Sequence, residues 1–274
     1  FFLRVIREQL TELEALPDID VTRVVYGGHS QGALAGALNA AVESEYAAYV
    51  FNGLSSYLTL TILERKDLLD FELVVRNLLN NDGPLDLFSP ALQLMQLGSE
   101  SVDPHNFAKL WRGTEARPDG NHVFVINGFK DNTTTPRGMD HLTVSAGLPI
   151  FDPPGWDIDP FDLGAPPYVQ LPLVGNETAL SGAPLTLATY LDPTAGHGTV
   201  YRNRTLRQMA IKFWQTALSE ETPRLEPDAE LMCRDEADGD QDGEVDCDDS
   251  DCMRREPCVE VRCNDRILIF DAGT

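Results

Sequence analysis

Positive charge is scarce in this chain. Lys and Arg together number 21 against 44 Asp and Glu in 274 residues, which gives a formal net charge of −23 at pH 7. Nucleic acids and anionic membrane surfaces attract proteins through clusters of basic side chains. The sequence therefore argues against nucleic acid and against anionic membranes as partners, whereas metal cations remain compatible with it.

Long apolar runs are also missing. No stretch approaches the roughly 20 consecutive apolar residues that a membrane-spanning helix requires, so the sequence predicts no transmembrane segment. Hydrophobic residues nevertheless make up 42% of the chain. That content is enough for one full core and a small appendage.

Cysteine is absent from the first 232 residues. Five cysteines then follow in a short acidic segment, at Cys233, Cys247, Cys252, Cys258 and Cys263. Such a cluster is typical of disulfide-stabilised modules in an oxidising compartment, and the odd number leaves one cysteine without a partner in the chain. We therefore expect a domain over residues 1–226 and a tail over residues 227–274, in a protein that is secreted, periplasmic or on the cell surface. The chain opens with neither Met nor a charged leader, so we expect the signal region upstream of it.

Apolar runs and helical patterns alternate along the domain. Short apolar runs predict strands at residues 24–26, 47–51, 123–126 and 185–191. Helical spacing of apolar residues predicts helices at residues 3–13 and 206–217. The Ala-rich stretch at 33–42 should be helical as well, and a Leu-rich insert at about 58–115 reads as a mostly helical cap. Residues 149–184, dense in Pro and Gly, read as an excursion over the surface. This alternation predicts an α/β fold with a mostly parallel sheet and helices on both faces.

A glycine-flanked serine lies between the first predicted strand and an Ala-rich helix, in Gly28-His29-Ser30-Gln31-Gly32. An isolated Gly-x-Ser-x-Gly is usually only a turn. Between a strand and a helix it is typical of a nucleophile elbow, in which small flanking residues let the two elements approach while the serine takes strained backbone angles. Ser30 is therefore the candidate nucleophile.

A serine hydroxyl is a weak nucleophile at neutral pH and needs a general base. His197 lies between a late strand and the closing helix and is the candidate base; the other candidates are His105, His122 and His141. His29 is more simply explained as a packed neighbour of the serine. Asp131 follows the strand at 123–126 and is the candidate acid, with Asp140 and Asp192 as alternatives.

Gly-His-Ser-x-Gly, followed in chain order by an acid and a histidine, resembles the lipase and esterase branch of the α/β-hydrolase superfamily over about residues 1–219. The resemblance implies that Ser30 is the nucleophile, Asp131 the triad acid and His197 the general base. It also implies that the Gln31 backbone N–H is one oxyanion donor. Several strands normally precede the elbow in that fold, and only 29 residues do so here. We therefore expect the N-terminal strands and the second oxyanion donor to be missing from this chain.

The same resemblance implies a serine carboxylic-ester hydrolase that forms an acyl-enzyme on a small-molecule or lipid ester and needs no catalytic cofactor. Peptidase and acyltransferase activities remain open, because substrate choice depends on the cap and the pocket. A non-catalytic surface protein with a degenerate hydrolase domain is the alternative from another class. The sequence leaves the oligomeric state open.

The acidic tail places carboxylates at alternate positions around Gly243. Oxygen ligands in this pattern are typical of a hard cation, and the segment resembles the calcium loops of thrombospondin type 3 repeats. The resemblance implies structural calcium held by Asp238, Asp240, Asp242, Glu244, Asp246 and Asp249, with Glu244 contributing its backbone carbonyl. The alternatives are a solvated acidic run and a zinc site on the cysteines, although no paired C-x-x-C is present.

Overall fold

A computed structural model describes residues 20, 22–158, 164, 166–219 and 221–227. The predicted helix at residues 3–13 and the whole predicted calcium segment, with all five cysteines, lie outside the described residues. Among those described, no helix is both long and apolar enough to cross a membrane.

The described strands are β1 Val24–His29, β2 Tyr46–Asn52, β3 Val123–Gly128, β4 Ile150–Phe151, β5 Tyr168–Val169, β6 Leu173–Val174, β7 Glu177–Thr178, β8 Pro184–Leu185, β9 Leu187–Asp192 and β10 Arg224–Leu225. The described α-helices are α1 Gln31–Val42, α2 Leu58–Glu64, α3 Phe71–Leu78, α4 Pro90–Ser99, α5 Pro136–Ala146, α6 Thr199–Arg202 and α7 Arg204–Leu218. Short 3₁₀ turns lie at Glu100–Val102, Pro104–Asn106 and Ala108–Arg112.

One six-stranded sheet forms the centre of the described domain. Its strand order is β1-β2-β3-β9-β4-β5, and every adjacent pair is parallel. In a parallel sheet the carboxyl ends of all strands meet at one edge, where loops from distant parts of the sequence come together. The predicted α/β fold with a mostly parallel sheet is confirmed.

Alternating side chains divide the sheet between two apolar cores. In β3, Val123 and Val125 pack with α1 and α5 on one face, while Phe124 and Ile126 pack with α7 on the other. This alternation follows from the two-residue period of a strand. Helices therefore cover both faces, as the apolar pattern of α7 at Leu206, Met209, Ala210 and Phe213 predicts.

Two expectations from the sequence need correction. The run predicted as one strand at 185–191 is divided at Thr186, whose backbone N–H donates to His122 Nδ1 at 3.0 Å and is thereby withdrawn from strand pairing. Residues 149–184 are not wholly a surface excursion, because Ile150 and Phe151 are buried and β4 pairs with both β9 and β5.

The predicted cap consists of three short helices, α2 to α4, followed by the 3₁₀ turns. Asp103 anchors it: its carboxylate accepts hydrogen bonds from the backbone N–H of Tyr57 at 2.9 and 3.0 Å and from that of Leu58 at 3.3 Å. Gln96 Nε2 donates to the same carboxylate at 3.1 Å. A buried acid thus ties the start of α2 to the end of the cap and fixes one wall above the sheet edge.

Candidate active site

Ser30 lies at the turn between β1 and α1 in a conformation that L-residues rarely adopt, with φ 55° and ψ −120°. Its backbone N–H donates to the Asn52 carbonyl at 3.0 Å. A Cβ on Gly28 would lie 2.6 Å from the Gly32 carbonyl oxygen, so only glycine permits this close crossing of strand and helix. At Gly32 itself a Cβ would meet nothing within 4 Å among the described residues, so packing does not explain that glycine.

Asp131 and His197 meet at the carboxyl edge of the sheet. Asp131 follows β3 by three residues and His197 lies in the loop between β9 and α6. His197 Nδ1 donates to Asp131 Oδ2 at 2.8 Å, and the Asp131 side chain is completely buried. This pairing leaves His197 Nε2 as the nitrogen available to a neighbouring hydroxyl.

The Asp131 carboxylate is saturated with donors. Oδ1 accepts from the backbone N–H of Thr133 at 2.8 Å and of Thr134 at 2.9 Å. Oδ2 accepts from the Thr134 hydroxyl at 2.7 Å as well as from His197. Four acceptor positions are therefore filled, which fixes the direction of the carboxylate toward the imidazole.

Ser30 and His197 are linked through Asn52: the Ser30 backbone N–H donates to the Asn52 carbonyl at 3.0 Å, and Asn52 Nδ2 donates to the His197 carbonyl at 2.9 Å. Among the described residues, no hydrogen bond joins the Ser30 and His197 side chains. The ring of His29, adjacent to Ser30, lies 4.6 Å from the His197 ring, centroid to centroid. Thr134, which bonds Asp131, lines the same cavity as Ser30. The structure thus brings the three predicted residues to one edge of the sheet and pairs two of them.

The alternative acids make other contacts. Asp140 Oδ1 accepts from Trp156 Nε1 at 2.8 Å. Asp192 Oδ1 accepts from the backbone N–H of Thr194 at 2.9 Å and of Ala195 at 3.0 Å, which shapes the loop ahead of His197. In the described part of the chain, neither carboxylate forms a hydrogen bond with a histidine.

The alternative bases are also engaged elsewhere. His105 Nδ1 bonds Asp103 at 2.9 Å, and His141 Nδ1 bonds the Ser56 hydroxyl at 2.8 Å. Burial lowers the pKa of His122 to about 4, and burial followed by the charge of His105 lowers the pKa of His141. Both of these imidazoles are therefore neutral near pH 7.

Three features fix the fold. A serine elbow joins β1 to a packed helix, and an acid and a histidine follow two further strands of the same parallel sheet and meet at its carboxyl edge. This is the α/β-hydrolase fold.

No family model matches the sequence, and no curated protein matches it. Several solved structures are similar. Acylaminoacyl peptidase from Pyrococcus horikoshii matches at 13% identity and a TM-score of 0.43, over 80% of this chain and 27% of that one. A puromycin-hydrolyzing peptidase of Mycobacterium tuberculosis matches at 16% identity and a TM-score of 0.39, over 76% of this chain and 24% of that one. A hydrolase from Pseudomonas aeruginosa PA01 matches at 15% identity and a TM-score of 0.31, over 78% of this chain and 71% of that one. The chain thus spans about a quarter of the two peptidases.

A cavity of about 460 Å³ opens beside Ser30 in this hydrolase fold, between α1 and the cap. It also touches Gln31, Ser55, Ser56, Asp103 and Arg65, the last paired with Asp67 at 2.8 Å. Its apolar lining includes Leu34, Leu38, Leu58, Ile62, Phe71 and Val102. Gln31, the first residue of α1, lines the cavity, and its backbone N–H has no acceptor within its own helix.

Sequence reasoning missed Thr134, Asn52 and Gly53 as parts of the site. Thr134 carries a weak signal, since Asp-x-Thr-Thr after a strand favours a turn closed on the carboxylate. Gly53 has φ +66°, and a Cβ there would lie 3.3 Å from His197 Nδ1 and 3.2 Å from Thr134 Oγ1. The positive φ therefore favours glycine here, and a Cβ would crowd the imidazole.

The predicted calcium ligands, Asp238, Asp240, Asp242, Glu244, Asp246 and Asp249, lie outside the described residues. Within the described part of the chain, no group of three or more His, Cys, Asp and Glu is arranged to hold a metal ion.

Proposed function

We propose that this chain is a serine hydrolase that cleaves carboxylic esters with apolar acyl groups. The observation that carries the proposal is the buried Asp131, filled by four donors and paired at 2.8 Å with His197, next to an elbow serine in strained geometry. A carboxylate so placed orients the imidazole and stabilises its charged form.

In this reaction the Ser30 hydroxyl oxygen attacks the ester carbonyl carbon while His197 Nε2 takes the hydroxyl proton. The carbonyl oxygen becomes an oxyanion, and we expect the Gln31 N–H to donate to it. When the carbon–oxygen bond to the alcohol breaks, His197 returns its proton to the leaving oxygen. Water activated by His197 then attacks the acyl-enzyme, releases the acid and restores Ser30.

The cavity lining supports an apolar acyl group. A volume of about 460 Å³ is within the range of small-ligand pockets, and leucine, isoleucine, phenylalanine and valine dominate its apolar wall. Each methylene buried there contributes up to about 0.8 kcal/mol, or about fourfold in kcat/KM.

The test is labelling by a fluorophosphonate probe, followed by hydrolysis of p-nitrophenyl esters from acetate to octanoate and of an acyl-peptide p-nitroanilide. We expect covalent labelling at Ser30, its loss in Ser30→Ala, and kcat/KM that rises with acyl length. Absence of labelling in the folded protein would refute the enzyme proposal and leave the non-catalytic alternative. Preferential cleavage of the anilide would replace esterase by peptidase activity.

We further propose that the tail binds structural calcium and that the protein is exported, on the strength of the alternating aspartates and the cysteine cluster. Calorimetric titration of the full chain with calcium should show heat that is lost when Asp240 and Asp242 are both replaced by Asn. No heat at millimolar calcium would refute the calcium proposal.

A further inference from the structure

Asn52 is the last residue of β2 and lies between the serine elbow and the His197 loop. It is 2% exposed and sits opposite His29 in the register of β1 and β2. It does not line the cavity beside Ser30. Its side-chain hydrogen bonds instead reach the elbow and the His197 loop.

Every polar group of the Asn52 side chain is used. Nδ2 donates to the His197 carbonyl at 2.9 Å and to His29 Nδ1 at 2.7 Å, and Oδ1 accepts from the Val200 backbone N–H at 2.9 Å. The carbonyl of His197 needs a donor and the N–H of Val200 needs an acceptor, so these two partners set the orientation of the amide. An aspartate lacks the two donors, and an apolar residue lacks all three groups.

The amide also determines the state of His29. Because Nδ2 is a donor, His29 Nδ1 accepts and carries no proton, which places the single ring proton on Nε2. The His29 ring faces His197 at 4.6 Å and the edge of Tyr201 at 5.2 Å. Burial and then the charge of His197 lower the pKa of His29, while the Asn52 backbone and Asp131 act in the opposite direction.

A neutral His29 matters because His197 takes up a proton during acyl transfer. A second positive charge on a ring 4.6 Å away would oppose that step. Resting on the proposed hydrolase function, we propose that Asn52 is a positioning residue that joins the elbow to the His197 loop and holds His29 uncharged beside the base.

The test compares Asn52→Asp with Asn127→Asp as the matched control. Asn127 is also buried at the end of a neighbouring strand, and its amide bonds the backbone N–H and carbonyl of Leu54. Histidine side-chain NMR, assigned with His29→Phe, follows the protonation of His29 between pH 5 and 8. In Asn52→Asp the His29 titration midpoint should rise by about one pH unit or more, and in Asn127→Asp it should stay within about 0.3 of the wild type. An unchanged midpoint in Asn52→Asp, or an equal rise in the control, would overturn the inference.

Kinetics supply the second measurement. In Asn52→Asp we expect kcat at pH 6.5 to fall about tenfold while KM stays within about threefold. The acidic limb of the pH profile of kcat/KM should move to higher pH together with the His29 midpoint. In the double variant His29→Phe with Asn52→Asp the limb should return toward its original position. A limb that stays shifted would show that the new carboxylate acts on His197 directly and would overturn the role of His29. The NMR measurement needs no turnover, so a protein that cleaves no ester but shows the His29 shift refutes the function alone.

Discussion

Asp140 gives the chain a pH dependence of stability that can be worked out from its surroundings. The side chain projects from α5, and burial raises its pKa to about 7; nearby Glu64 and Asp157 act in the same direction, whereas the bond from Trp156 Nε1 and the charge of Arg137 oppose it. An aspartate in an unfolded chain has a pKa near 4. The folded protein therefore binds a proton on Asp140 between about pH 4 and pH 7 that the unfolded chain has already lost.

The sign and size of the effect follow from this difference. A raised pKa in the folded state stabilises the protein below the unfolded pKa, and that stability is lost as the pH rises from about 4 to about 7. Three pH units at 1.36 kcal/mol each set an upper limit of about 4 kcal/mol. Asp140 is only partly buried, so we expect about half of this, or about 2 kcal/mol.

Asp140→Asn should remove the effect, because the amide oxygen still accepts from Trp156 and the side chain cannot ionise. Relative to wild type, we expect the variant to gain about 1 kcal/mol at pH 5 and about 2 kcal/mol at pH 8, the latter corresponding to a Tm about 4–8 °C higher. Urea unfolding and thermal melts across pH 5–8 measure this difference. Asp82→Asn, at an exposed site, is the control. If the unfolding free energies of wild type and Asp140→Asn changed in parallel across pH 5–8, the reasoning would be refuted.

Three further predictions concern the site and the core. Asp131→Asn should lower kcat by about 10³–10⁴-fold with little change in KM, because the amide favours the wrong tautomer of His197; ester kinetics measure this, and a loss under tenfold would contradict it. Gly53→Ala should lower kcat at least tenfold, since a Cβ would lie 3.3 Å from His197 Nδ1 at φ +66°. The control is Gly83→Ala, where a Cβ would meet only Asn81 Oδ1, at an ordinary 3.8 Å, and equal activities would argue against a crowded imidazole. Phe213→Ala should reduce the free energy of unfolding, measured with urea, by about 3–5 kcal/mol, whereas Ile211→Ala at an exposed site should cost under 1 kcal/mol. Similar losses in the two variants would contradict the assignment of Phe213 to the core.

Much of the sheet could be predicted because its signals are local. Four long strands carry apolar runs, and the serine, the acid and the histidine stand where strands end. The strands β4 and β5 were missed, because two-residue strands with Pro and Gly nearby give no periodic pattern. They are defined only by tertiary pairing, β4 with β9 and β5 with β4.

Asn52 could not have been found by such reasoning. Nothing in Tyr-Val-Phe-Asn-Gly distinguishes a strand-ending asparagine from any other turn residue. Its partners His29 and His197 lie 23 and 145 residues away in the sequence. Only the parallel arrangement of β1, β2 and β9 brings them within reach of one amide.

The backbone of Ser30 has a consequence for how this protein tolerates change. A non-glycine residue at φ 55° and ψ −120° raises the energy of the folded state by about 1–3 kcal/mol. The neighbouring contacts, Gly28 against Gly32 and the Ser30 N–H on Asn52, must supply that energy at all times, whether or not a substrate is present. At this position, the backbone angles that expose the hydroxyl therefore lower the stability of the folded protein to heat. Screens for heat-resistant variants will tend to select changes that relax residue 30 and lose the reactive group.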